Sequence, residues 1–140
     1  TAALNGLIDA ALAAVPTVRT LRDPTRGGLA TTLNEIAVQS GVGMELDEEA
    51  IPVTPQVAAA CELLGLDPLY LANEGKLVAV CPPGDAARLL EALRAHPFGR
   101  LAALIGTVSD DARNFVQANT SLGGRRMIDW LTGEPLPRIC

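Results

Sequence analysis

Apolar side chains return at helical spacing in four separate stretches with short β-rich runs between them, and that alternation admits few architectures. Leu4, Leu7, Ile8, Ala11, Leu12 and Val15 form one face of a first helix of about four turns, ended by Pro16. Leu29, Leu33, Ile36 and Ala37 face a second helix, which Ser40, Gly41 and Gly43 stop before a short strand over 42–46. Thr54 followed by Pro55 predicts an N-cap with proline at the first helical position; Val57, Ala58, Cys61 and Leu64 share one face, and Gly65 closes the helix. Residues 76–81 (KLVAVC) are an apolar run halted by Pro82 and Pro83, and they suit a strand buried on both faces. Ala86, Leu89, Leu90 and Leu93 mark a further helix after Gly84 and Asp85. Residues 101–108 and 115–118 are strand candidates, and 127–131 a last strand or turn. The elements do not follow a strict βαβ rhythm. The expected fold is therefore α/β and layered, a mixed β-sheet with packed helices rather than a doubly wound parallel sheet.

At 140 residues the chain is long enough for one core, which buries about two-thirds of the surface of the unfolded chain. Apolar residues make up 49% of it and aromatic ones only 3%, so that core must be built from Ala, Leu, Val and Ile. The net charge of −5 and the absence of any basic run longer than Arg125-Arg126 argue against a nucleic-acid footprint. No apolar stretch approaches the roughly 18–20 residues of a membrane span, and no signal peptide is recognisable, so a cytoplasmic protein without a membrane partner is expected. The chain enters a helical pattern directly from Thr1, as a domain cut from a longer protein would, and an amino-terminal partner domain is expected. No repeat or internal linker divides it, which gives one domain over 1–131 and a tail over 132–140.

Three places carry candidate chemistry. In Leu21-Arg22-Asp23-Pro24-Thr25-Arg26-Gly27-Gly28-Leu29, Asp23 is placed to cap a helix that Pro24 opens, and Gly27 and Gly28 leave the first turn's amides open to an anion. Arg26 adds a planar charged fork suited to phosphate or carboxylate. The competing reading is structural: Asp23 caps, Arg26 pairs with a surface acid, and the glycines allow close helix packing. Asn73-Glu74-Gly75 precedes the apolar strand. Glu74 is a candidate general base if partial burial raises its pKa, against the plainer reading of a solvated turn acid. Glu35 is more often a helix-face carboxylate than a functional acid, and His96, before Pro97, reads as a charge at a helix C-terminus.

Cys61, Cys81 and Cys140 are too far apart for a C-x-x-C site or a disulfide framework; no metal site is expected, and the first two read as small core residues. The third place is the ending Thr132-Gly133-Glu134-Pro135-Leu136-Pro137-Arg138-Ile139-Cys140, with two prolines and a thiol on the last residue. Extended, it reaches on the order of 30 Å at about 3.3 Å per residue, as a carrier arm requires. A prenylation box would need the cysteine four places from the end. An incidental exposed thiol and an intermolecular disulfide are the alternatives.

Taken in order, the segment 22–29, Asn73-Glu74-Gly75 and the terminal Pro137-Arg138-Ile139-Cys140 resemble the HypE family of hydrogenase maturation factors. The first motif alone marks only the wider superfamily of aminoimidazole ribonucleotide synthetase, selenophosphate synthetase and thiamine-monophosphate kinase; the terminal P-R-I-C singles out HypE within it. The resemblance runs over essentially the whole chain but covers only the second of the family's two domains. It implies a layered α/β domain with a mixed sheet, ATP with Mg2+ bound mainly by the absent amino-terminal domain, homodimers formed largely through that domain, and an isolated carboxy-terminal domain without turnover. It also implies that the carbamoyltransferase HypF loads a carbamoyl group on the terminal cysteine. ATP-dependent dehydration then yields an enzyme-bound thiocyanate, whose cyanide passes to the HypC–HypD complex for the iron of NiFe hydrogenase. Carried onto this sequence, Cys140 is acceptor and carrier, used as thiolate, and Glu74 is the base that removes the nitrogen protons. Asp23, Thr25, Arg26, Gly27 and Gly28, with Asn73, line the place of the tail or the phosphorylated intermediate. The alternatives are another ATP-dependent synthase of the superfamily, acting on a small amide or carbonyl, and a docking module without chemistry.

Overall fold

A computed structural model describes residues 3–130. Its elements are α1 (Asn5–Ala14), β1 (Thr20–Arg22), α2 (Gly28–Ser40), β2 (Gly43–Asp47), α3 (Pro55–Leu64), β3 (Val78–Val80), α4 (Ala86–Ala95), β4 (Gly106–Ser109), β5 (Val116–Asn119) and β6 (Arg125–Met127). The layered α/β reading holds, with one amendment: the strands form two sheets. β4-β2-β5-β6 is a mixed sheet in which β2 runs parallel to β5 and the other pairs are antiparallel. β1 and β3 form a separate antiparallel ribbon.

Each sheet has its own small core. Met44 and Leu46 on β2 and Val116 and Ala118 on β5 alternate toward α2, where Ala30, Leu33, Ile36 and Ala37 meet them together with Leu69, Val78 and Ile128. The second core joins α1 to α4 through Ala11, Val15 and Leu89, and Ala79 and Cys81 bring the β3 segment against it. Both are aliphatic, as the scarcity of aromatic residues requires.

Several local expectations are corrected. Asp23 and Pro24 do not open α2. Gly27 and Gly28 have φ of 74° and 63°, a right-handed helix cannot run through two such residues, and α2 starts at Gly28, leaving 23–27 as a loop after the unforeseen β1. β3 meets a core on each face, as expected, but is less completely covered than a central strand: Val78 is buried in the first core, whereas Ala79, packed against the second, and Val80 are half-buried. Of residues 101–108 only the last three join β4, and Leu101 and Leu104 are exposed. α3 begins at Pro55 after Thr54 and is closed by Gly65, as expected, but of its predicted face only Cys61 is buried. His96 stands at the C-terminal end of α4, as expected, and its Nδ1 accepts the N–H of Phe98 at 3.2 Å, which caps the turn Pro97–Gly99 that follows.

The end of the described chain is firmly attached. The Ile128 N–H donates to the Val116 carbonyl at 2.9 Å, and the buried Asn34 amide donates to the carbonyls of Ile128 (2.7 Å) and Ala30 (2.9 Å). One turn earlier, Arg126 divides its guanidinium between Glu48 and Asp67, both at 2.7 Å, tying β6 to the turns that flank α3. Burial works against that charge, but the two carboxylates outweigh it and raise the arginine's pKa. These side chains are about one-third exposed, so solvent screens the pairs; Arg126→Met should cost about 1 kcal/mol in urea unfolding. No helix among the described residues is long and apolar enough to cross a membrane.

Candidate functional site

The β1–β3 ribbon assembles the site. Because the strands are antiparallel with Arg22 opposite Val78, the chain leaving β1 and the chain entering β3 lie at the same end of the ribbon. Residues 23–28 and 73–77, some fifty positions apart in sequence, thereby become neighbours. The Asn73 N–H donates to the Pro24 carbonyl at 3.0 Å and stitches the two segments together. Gly28 lies against the short helical turn Pro68–Tyr70: a Cβ there would fall 2.5 Å from the carbonyl oxygens of both Leu69 and Leu71. The glycines thus serve close packing. Gly27, Gly28 and Ala30 are buried, so the first-turn amides expected to lie open are covered.

The side chains at this end are Asp23 and Arg26, both exposed, and Thr25, which is half-buried. Glu74 stands exposed on the facing turn, where Gly75 takes φ 73°. Nothing among the described residues buries the Glu74 carboxylate. Asn73 anchors that turn twice, through its main chain and through its Oδ1, which accepts from Lys76 Nζ at 2.8 Å. At the flank, Arg22 pairs with Glu35 at 2.5 Å, which makes Glu35 the helix-face carboxylate that was expected. Beneath Gly27, Thr31 Oγ1 is buried without a hydrogen-bond partner among the described residues; the glycine leaves just the space this hydroxyl fills.

All seven described site residues therefore gather at one end of one ribbon. Sequence reasoning missed Lys76 and the Arg22–Glu35 pair. Lys76, three residues from Asn73 across a glycine turn, carried a readable signal; Arg22 and Glu35 meet only because α2 folds back beside β1. Arg26 and Lys76 supply a guanidinium and an ammonium suited to phosphoryl oxygens. Among the described residues, no three His, Cys, Asp or Glu side chains come together as a metal cage. Cys61 is buried, and burial, then Asp85, push the half-buried Cys81 thiol up. Cys140 and the tail 132–140 lie outside the described residues.

A β-ribbon holding two loops beside a mixed sheet is an arrangement shared with known proteins. The family described as "AIR synthase related protein, C-terminal domain" matches residues 2–119, and the chain belongs to it. Within that class its relatives carry a narrower name. A protein of Azotobacter vinelandii called carbamoyl dehydratase HypE is 69% identical over 138 residues, which are 99% of this chain and 40% of the relative. A crystal structure of hydrogenase maturation protein HypE in complex with ATP superposes with a TM-score of 0.92 at 46% identity, covering 99% of this chain and 43% of that one. A HypE–HypF complex matches with a TM-score of 0.89 at 44% identity, covering 94% and 42%. The chain thus spans about two-fifths of the length of the relatives it matches.

Proposed function

We propose that this chain is the carboxy-terminal part of an ATP-dependent carbamoyl dehydratase of NiFe-hydrogenase maturation, acting in the cytoplasm. The observation that carries the reading is the junction of the Asp23–Gly28 loop with the Glu74 turn, in a chain 69% identical to a protein named carbamoyl dehydratase. HypF is the partner that loads Cys140, in keeping with the solved HypE–HypF complex, and the HypC–HypD complex receives the cyanide. The full-length protein acts as a homodimer.

The chemistry assigns each group a task. Carbamoylated Cys140, R–S–C(=O)–NH2, must lose its oxygen and both nitrogen protons to become R–S–C≡N. ATP, held with Mg2+ chiefly by the remainder of the longer protein, supplies the phosphoryl group that lets the carbamoyl oxygen leave as phosphate. Arg26 and Lys76 offset the charge on that oxygen side and Asn73 holds the Glu74 turn in place; one nitrogen proton leaves to solvent as the oxygen is phosphorylated, giving R–S–C(OPO3)=NH, and the Glu74 carboxylate takes the other as the C–O bond breaks. Asp23 and Thr25 complete the polar rim that the loaded thiol enters.

The test is intact mass of the full-length protein after incubation with HypF, carbamoyl phosphate and ATP, beside a Cys140→Ala control. The expected result is a carbamoyl adduct that then loses one water, with both species absent from the control. An unmodified protein, with active HypF confirmed in parallel, would overturn the assignment in favour of a synthase acting on a small diffusible amide or carbonyl.

A further inference from the structure

The ribbon does not by itself place Glu74, because β3 starts only at Val78 and the strand pairing stops short of the turn. The turn is held from its other side. Asp67, which precedes it, uses both carboxylate oxygens: Oδ1 accepts the Leu69 N–H at 2.9 Å and caps the short turn Pro68–Tyr70, while Oδ2 accepts from Arg126 Nη1 at 2.7 Å. Capping requires only the first of these bonds. The second ties the turn to β6, where Arg126 stands opposite Ala118 of β5, and so to the four-stranded sheet.

From Asp67 the contacts run without a gap to the site. Leu69 is buried in the first core. The carbonyls of Leu69 and Leu71 bear on Gly28 so closely that no Cβ fits between them. The Asn73 side-chain amide donates to the Leu71 carbonyl at 3.4 Å, and the Asn73 N–H to the Pro24 carbonyl at 3.0 Å. Glu74 is the next residue. The segment 67–73 is thus seated on the larger sheet at one end and on the Asp23–Gly28 loop at the other, and the carboxylate projects from it.

We infer that Asp67, held by Arg126, is a positioning residue for the Glu74 carboxylate. It acts through the segment 67–73, which it fixes against the sheet. Its part in dehydration rests on the base assignment proposed above; its hold on the turn rests on the bonds alone.

Two readouts test this in the full-length protein. Both side chains of the pair are about one-third exposed, so neither Asp67→Ala nor Arg126→Met empties the core. With Cys140 loaded by HypF, Asp67→Ala should slow the loss of water about tenfold or more while loading keeps its rate, because a small displacement of a reacting group is costly. Arg126→Met, which spares the Leu69 cap, should slow it less. In a Glu74→Gln background Asp67→Ala should have no further effect, since a residue acting through Glu74 has no base left to place. Equal losses in both backgrounds would overturn the role and leave Asp67 as a support of the fold. The second readout needs no turnover. By amide hydrogen exchange, the Asn73 N–H should exchange about fivefold or more faster in Asp67→Ala, and at the wild-type rate in Gly41→Ala, which perturbs the opposite end of α2. An Asn73 amide that exchanges equally in wild type and Asp67→Ala would overturn the hold on the turn. Failure of the loaded wild type to lose water would instead overturn the base assignment, and the exchange rates would still decide whether Asp67 fixes the segment.

Discussion

Full-length protein carrying Glu74→Gln should accept a carbamoyl group on Cys140 at the wild-type rate and convert it to thiocyanate about 10²–10⁴-fold more slowly, the usual contribution of a positioned base. The amide is nearly isosteric with the carboxylate but cannot take a proton. The turn itself should survive, because Asn73 is held by its main chain to Pro24 and by its side chain to Lys76, and neither bond involves the Glu74 side chain. A time course of intact mass would show the loaded species accumulating and the loss of water delayed. Glu74→Asp keeps the charge but withdraws it by one methylene, and should retain part of the activity. Dehydration at the wild-type rate in Glu74→Gln would remove the base assignment and leave the domain as a docking module.

The largest effect on stability is expected at Gly28. A Cβ there would press on two main-chain oxygens, those of Leu69 and Leu71, at 2.5 Å, and neither can swing aside as a flexible side chain would. The positive φ adds about 1–2 kcal/mol for any residue with a Cβ, and overpacking about 1–3 kcal/mol. Gly28→Ala should therefore cost about 2–5 kcal/mol in urea unfolding. Gly41→Ala makes the comparison: its φ of 66° is similar but open space surrounds it, so only the conformational part, about 1–2 kcal/mol, is lost. Equal losses in the two variants would show that the contact with 69–71 contributes nothing.

The helices are legible in the sequence because their apolar faces repeat over ten to thirteen residues, long enough for the helical period to stand out. β1 is not, since a three-residue strand is too short to show alternation. The start of α2 is misread for a definite reason: Asp23-Pro24 imitates a cap followed by a first helical proline, while the two left-handed glycines that delay the helix look like ordinary packing residues. The candidate site shows the same division. Its residues are legible as motifs, but nothing in their spacing says that Pro24 and Asn73 touch; that follows from β1 pairing with β3 rather than with the larger sheet. The exposure of Glu74 is likewise a matter of what the other elements leave uncovered.

The separateness of the β1–β3 ribbon also bears on how the site behaves in time. Three residues per strand hold the two loops in register, and none of them belongs to the four-stranded sheet. Opening the ribbon would scatter Asp23, Arg26 and Glu74 while the pairing of β2 with β4 and β5 stayed intact. The site is thus a small cooperative unit whose formation can be set apart from the stability of the rest of the fold. A ligand spanning both loops would draw its affinity partly from closing that unit, and amide protection along β1 and β3 would rise and fall with occupancy.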